Sequence, residues 1–242
     1  MLAHTASLLL CVTLSSVSCW AQAVTVSLKV HITYVSTEHK HTTNPTDGGG
    51  SGGVVVWLTP LDRSMTLPAR NAPAQGYRLV QKDKQFKPHL LVVPTGTSID
   101  FPNQDPFFHN VFSLFNGKRF DLGLYEAGSH RSVRFDREGV SYIFCNIHPA
   151  MSAVVVSLRT PYYAISSNDG SLTLSSVPPG EYALNLWAEG VAASDLAAAS
   201  RQVRITNDSL SLGTINLTRL ANSMEHKNKF GEDYKPTSDN PY

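Results

Sequence analysis

The chain has 242 residues, with 20 Lys and Arg against 19 Asp and Glu, and a formal net charge of +1 at pH 7. This balance excludes the basic excess typical of nucleic-acid-binding proteins and the acidic excess of a metal buffer. Charged residues make up only 16% of the chain. Together with abundant Val, Thr, Ser, Gly and Pro, this low charge favours strands and turns over helices.

Residues 1–23 resemble an export signal. An apolar stretch covers residues 6–17, and Ala21 and Ala23 complete an A-x-A cleavage pattern. The stretch is shorter than the roughly 20 residues that a membrane-spanning helix needs. We therefore expect cleavage near Ala23, a periplasmic or secreted protein, and no transmembrane segment after the signal. Lipoprotein processing at Cys19 is the second interpretation.

The first part of the mature chain contains two strand patterns. Residues 24–35 alternate between apolar and polar side chains, which predicts a half-buried strand. A polar loop that ends in a glycine-rich run separates it from residues 54–58, which are apolar on both faces. Residues 60–76 contain three prolines and indicate a linker.

Strands and turns alternate along the rest of the chain. Between residues 77 and 158 the pattern predicts strands at 89–93, 97–101, 111–114, 131–135, 140–144 and 153–158. Further strands separated by Gly- and Pro-containing turns continue to residue 217, and an Ala-rich stretch at 191–200 is the candidate helix. The polar segment 222–242 is typical of a disordered tail. The pattern as a whole predicts an all-β protein.

A short segment, Cys145-Asn146-Ile147-His148-Pro149-Ala150-Met151, carries the chemistry of this sequence. It holds a thiol, an imidazole and a thioether within seven residues, and a second imidazole, His109, lies upstream. Two imidazoles, a thiolate and a weak axial thioether are the ligand set of blue copper. After removal of the signal, Cys145 is the only cysteine left. A lone cysteine of this kind is an inert buried residue, a nucleophile or a metal ligand.

Two other classes of function compete with a redox copper site. A Cys–His pair could serve as a nucleophile with its base. That role would leave Met151 without a purpose, and no motif places a third residue to orient the histidine. We therefore expect that the protein is not an enzyme. A copper carrier, or a structural β-sandwich without redox turnover, is the remaining alternative.

The region from Phe86 to Leu158 resembles the cupredoxins, or blue copper proteins, of the plastocyanin and amicyanin type. The resemblance includes Phe101-Pro102-Asn103, His109-Asn110-Val111 and the ligand loop, whose C-x-x-H-x-x-M spacing is most similar to amicyanin. It implies one type 1 copper ion, single-electron transfer between redox partners, and a Greek-key sandwich. It also implies that the metal ligands are His109, Cys145, His148 and Met151.

The same resemblance assigns roles to two neighbours of the ligands. The backbone N–H of Asn110 would point at the Cys145 sulfur. Many family members carry proline at the position of Ile147, which offers no N–H. Ile147 would therefore bring a second N–H close to that sulfur.

A second resemblance concerns the end of the chain. The turns Asp169-Gly170-Ser171-Leu172 and Val177-Pro178-Pro179-Gly180-Glu181-Tyr182 are similar to those of transthyretin-like or carboxypeptidase-regulatory β-sandwiches. We therefore expect a second, Ig- or transthyretin-like sandwich, split between residues 24–60 and 159–221. The cupredoxin domain, residues 77–158, would be inserted between its two halves.

Overall fold

The computed structural model describes residues 23–35, 51–70, 72–114, 117–220 and 227–233. Within these ranges the chain forms strands and one short helix, so the predicted all-β fold class is confirmed. The expected signal peptide and its two cysteines lie outside the described residues, as does most of the expected tail. Among the described residues, no helix is both long and apolar enough to cross a membrane.

The elements follow one another with short connections. The strands of the first 102 residues are β1 (Val24–Val35), β2 (Val55–Pro60), β3 (Tyr77–Arg78), β4 (Val80–Lys82), β5 (Gln85–Lys87), β6 (Leu90–Pro94) and β7 (Thr97–Pro102). Those of the central region are β8 (His109–Ser113), β9 (Phe120–Tyr125), β10 (His130–Phe135), β11 (Gly139–Phe144) and β12 (Ser152–Leu158). The remaining elements are β13 (Tyr163–Ile165), β14 (Ser171–Val177), β15 (Gly180–Trp187), α1 (Ala193–Ala199), β16 (Arg201–Ile205) and β17 (Leu210–Leu220).

The two ends of the chain build one pair of sheets. Strand β1 lies between β14, which is antiparallel to it, and β17, which is parallel to it. The second sheet has the order β13-β2-β15-β16. Side chains from both sheets form one core, which includes Val30, Val56, Leu184 and Ile215. Alternate side chains of β1 are buried in it, because successive side chains of a strand point to opposite faces.

The middle of the chain builds a second pair of sheets, of order β10-β7-β3 and β6-β12-β11-β8-β9. Their shared core contains Phe101, Ile143, Cys145 and Met151. Two strand pairings that the sequence did not predict complete this region. Strand β3 lies parallel to β7, and β4 pairs with β5, so ordered strands precede Phe86.

A third apolar cluster joins the two pairs of sheets. Val154 and Val156 of β12 pack there with Val55 of β2 and Trp187 of β15. Strand β12 is therefore covered on both faces, which explains its unbroken run of buried side chains. The boundaries of the split sandwich, of the inserted domain and of the tail stay predictions.

Candidate metal centre

The structure brings three of the four predicted ligands together. The Cys145 Sγ atom lies 3.7 Å from Nδ1 of His109 and 3.7 Å from Nδ1 of His148. Among the described residues, these three side chains form a cluster whose ligand atoms all lie within 4.8 Å of one another. The Cys145 side chain and the His109 side chain are buried, and His148 is partly exposed.

Strand pairing explains how residues far apart in sequence meet at this point. Strand β11 ends at Phe144, which lies opposite Phe112 of β8. Cys145 is the next residue, and His109 is the first residue of β8. Because β8 and β11 are antiparallel neighbours, the end of one lies near the start of the other.

The loop between β11 and β12 is closed by its own backbone. The Cys145 N–H donates to the Met151 carbonyl at 3.2 Å, and the Met151 N–H donates to the His148 carbonyl at 3.0 Å. Met151 is fully buried beneath the loop, in the same core cluster as Cys145. Two hydrogen bonds across so short a segment fix where the loop places Cys145 and His148.

A carboxylate that the sequence analysis did not single out orients His109. Asp105 Oδ2 lies 2.8 Å from His109 Nε2, and both side chains are almost fully buried. An ionised carboxylate only accepts hydrogen bonds, so Nε2 carries the proton and donates it. Nδ1 of His109 is then left unprotonated, with its lone pair available on the side of the Cys145 sulfur.

The backbone between β4 and β5 keeps Asp105 ionised. Asp83 and Lys84 both have φ near +55°, and their N–H groups donate to the two Asp105 oxygens at 2.7 and 3.0 Å. Consecutive N–H groups arranged in this way make an anion-binding concavity. Burial by itself would raise the pKa of Asp105. The hydrogen bonds from Lys84, His109 and Asp83 outweigh it and hold the pKa below its ordinary value.

The second histidine is neutral as well. Burial, followed by repulsion from His109 and Lys84, lowers the pKa of His148 to about 4. At neutral pH its imidazole therefore has a lone pair for a metal. The Phe107 ring packs against both histidines, with ring centroids 5.2 Å from His109 and 5.6 Å from His148.

The spacing of the donor atoms fits a trigonal metal. Thiolate and imidazole bonds to zinc are about 2.3 and 2.0 Å long, which at an angle of 120° separates sulfur from nitrogen by about 3.7 Å. The two observed separations are both 3.7 Å. One thiolate and two imidazole donors suit copper in both of its oxidation states.

The two neighbouring residues singled out in the sequence lie in different environments. Asn110 is buried, and its side-chain Nδ2 donates to Asp121 Oδ1 at 2.7 Å. Ile147 lies on the loop surface, with 40% of it exposed. The contacts of both backbone N–H groups with the Cys145 sulfur stay predictions, as does the role of Met151 as a ligand.

Comparison with known proteins places this region among copper proteins of similar fold. No protein-family model and no curated protein matches the chain. The similar solved structures are cupredoxins and a cupredoxin-like part of an enzyme. One is a purple cupredoxin from Nitrosopumilus maritimus, 24% identical, with a TM-score of 0.31 over 34% of this chain and 99% of that chain. Another is an amicyanin variant in the Cu(I) state, 18% identical, with a TM-score of 0.33 over 42% of this chain and 98% of that chain.

These similarities concern the fold alone, so the chemistry of the site rests on its own geometry. The expected resemblance to cupredoxins is confirmed at the level of similar structures, whereas the transthyretin-like resemblance stays a prediction. The expectation that the protein is not an enzyme is wrong. A copper-containing nitrite reductase from Thermus scotoductus SA-01 is also similar, 19% identical with a TM-score of 0.33. That match covers 41% of this chain and 25% of the reductase.

Proposed function

We propose that this protein binds one copper ion at a type 1 site and carries single electrons between redox partners. His109, Cys145, His148 and Met151 would hold the ion. The observation that carries the proposal is the buried Cys145 sulfur flanked by two imidazole Nδ1 atoms at equal distances of 3.7 Å. This donor set favours Cu(I) through its sulfur atoms and accepts Cu(II) through its imidazoles.

The protein's contribution is to hold the ligands still. Copper would supply a one-electron couple. Asp105 fixes the His109 ring, and the backbone hydrogen bonds around Met151 fix the loop. The buried thiol and the Phe107 ring keep water away from the donor atoms. Ligands that are fixed before the electron arrives need little rearrangement when the charge changes.

A redox partner needs access to one side of such a site. Phe108 and Ile147, each next to a predicted ligand in sequence, are 57% and 40% exposed. Exposed apolar side chains of this kind are suited to brief contacts with another protein. The identity of that partner is not part of the proposal. The export signal expected at residues 1–23 would place this exchange in the periplasm or outside the cell.

The absorption and EPR spectra of the copper-loaded mature chain test the proposal. We expect an intense band at about 600 nm from thiolate-to-Cu(II) charge transfer. Cys145→Ser should abolish this band because it removes the thiolate. His130→Ala, at an exposed histidine of β10, serves as the matched control and should leave it unchanged. A band that persists in Cys145→Ser would refute the ligand assignment. Tight copper binding without the band would favour a carrier over an electron-transfer protein.

A further inference from the structure

A short segment near the end of the chain, residues 227–233, folds into a closed turn. The Asn228 N–H donates to the Glu232 carbonyl at 2.9 Å, and the Gly231 N–H donates to the Asn228 carbonyl at 2.9 Å. The Asn228 side-chain oxygen also accepts hydrogen bonds from the N–H groups of Phe230 and Glu232. Gly231 has φ of +83°, a conformation that glycine adopts without strain.

Lys229 attaches this turn to the metal centre at two points. Its backbone N–H donates to Asn146 Oδ1 at 2.9 Å. Its ammonium group lies 2.7 Å from Asp121 Oδ2, and both side chains of this ion pair are partly buried. One residue of the turn thus contacts both the loop after β11 and strand β9.

Each attachment leads to a predicted metal ligand within one residue. Asn146 directly follows Cys145 in the loop. Asp121 accepts a hydrogen bond from the side chain of Asn110, which directly follows His109 on β8. The turn therefore bridges the two parts of the chain that carry the imidazole of His109 and the thiol of Cys145.

We propose that residues 227–233 form a clamp across the metal centre, in which Lys229 is a positioning residue for the loop that contains Cys145 and His148. This inference rests on the proposed function for its consequence at copper, but its structural part concerns the loop alone. The clamp would limit how far the loop moves away from β8. It would keep the sulfur and the two imidazoles at similar positions in both oxidation states.

Amide hydrogen exchange of the metal-free protein tests the clamp without copper. In a chain that ends at residue 226, we expect exchange in residues 143–151 to become about fivefold faster, the effect of losing one hydrogen bond and one partly exposed ion pair. A chain that ends at residue 233 is the control and should exchange at the original rate. Lys229→Met should accelerate exchange to a smaller extent, since it keeps the backbone hydrogen bond, and Lys229→Arg should restore the original rate.

Lys118→Met is the matched point mutation. Lys118 forms an ion pair of 2.8 Å with Asp136, of similar exposure, near the start of β11 and therefore away from Cys145. This substitution should not change exchange in residues 143–151. Equal exchange in the chains ending at 226 and at 233 would overturn the clamp.

Copper-loaded protein supplies a second readout that a general loss of stability would not reproduce. The chain that ends at residue 226 should show a broader EPR spectrum and slower electron self-exchange than the chain that ends at 233. If neither chain binds copper but exchange still differs, the clamp stands and the proposed function fails. If both chains give the same type 1 spectrum and the same exchange, the clamp fails and the proposed function stands.

Discussion

At the scale of single residues, the hydrogen bond between Asp105 and His109 decides which imidazole nitrogen faces the thiol. It places the proton on Nε2, as expected for a histidine paired with a carboxylate. The same bond prevents rotation of the ring, because a flipped imidazole would lose its acceptor in a buried site. A carboxylate partner also makes an imidazole a stronger donor to a metal.

Asp105→Asn should therefore weaken metal binding and raise the reduction potential. An amide withdraws the negative charge that makes His109 a strong donor, and Cu(II) needs this donation more than Cu(I) does. Loss of such a partner typically costs about 10- to 100-fold in metal affinity. Copper titration and voltammetry would measure both effects. Asp136→Asn, at an exposed carboxylate far from the site, is the control. A lower potential in Asp105→Asn would contradict this reasoning.

Ile147→Pro should lower the reduction potential. Proline keeps an apolar side chain but removes the backbone N–H. If that N–H donates to the Cys145 sulfur, it withdraws charge from the thiolate and favours Cu(I). The blue spectrum should be retained while voltammetry shows the lower potential. An unchanged or higher potential would mean that Ile147 only shields the metal from water.

The ligand set could be proposed from the sequence because three of its members lie within one loop, where spacing alone limits their separation. Asp105 lies only four residues before His109, and an acidic residue so close to a candidate ligand is a signal that could have been used. Its role also depends on Asp83 and Lys84, which approach it only through the β4–β5 turn. The contact of Lys229 with Asn146 joins residues that no local pattern relates.

At the scale of elements, a histidine links the edge strand β6 region to the first pair of sheets. His89 Nε2 lies 2.9 Å from Glu189 Oε2, just beyond the end of β15. His89 Nδ1 lies 3.1 Å from the Ser152 carbonyl at the start of β12. The sequence indicated an ordinary surface histidine, because Glu189 lies 100 residues away along the chain.

This pair predicts a pH-dependent contribution to stability. The hydrogen bond with Glu189 is the largest cause that raises the pKa of His89 above its ordinary value of 6.5. The contribution is therefore complete below pH 6.5 and is lost as the pH rises through the higher pKa of the folded state. Because both side chains are partly exposed, we expect at most about 1 kcal/mol.

His89→Gln should remove this contribution. Urea unfolding at pH 5.5 and at pH 8.5, as conditions roughly one unit or more on either side of the free histidine pKa, would measure it. The variant should lose stability at the lower pH and little at the higher one. His130→Gln, on the exposed face of β10, should behave like the original protein at both values. A larger loss at pH 8.5 would reverse the assigned sign.

Strands were predictable from sequence where one face is buried. The alternation in β1 and the continuous apolar run in β12 gave both elements to within a residue or two. Strand β9 gave no such signal, since it lies at the edge of its sheet and its Leu124 is 62% exposed. Strands β3, β4 and β5 have two or three residues each, too few for any periodicity to be visible.

At the scale of the whole molecule, one apolar core unites residues from the beginning and the end of the chain. We therefore expect limited proteolysis to leave these parts associated. Trypsin should cut at the exposed residues Arg63 and Arg159, on either side of the predicted inserted domain. Segments 24–58 and 160–220 should then elute together in gel filtration. The same digest in strong denaturant should separate them. Separation without denaturant would refute the split sandwich.

The parallel pairing of β1 with β17 also determines the order in which the molecule can be built. Val30 lies beside Ile215, so the first strand to leave a ribosome or an export channel waits for almost the last one. Strands β6–β12, by contrast, find their sheet neighbours among strands β3–β12. The region with the predicted copper ligands can therefore fold while the polypeptide is still emerging, and it holds the two distant ends in place until they meet.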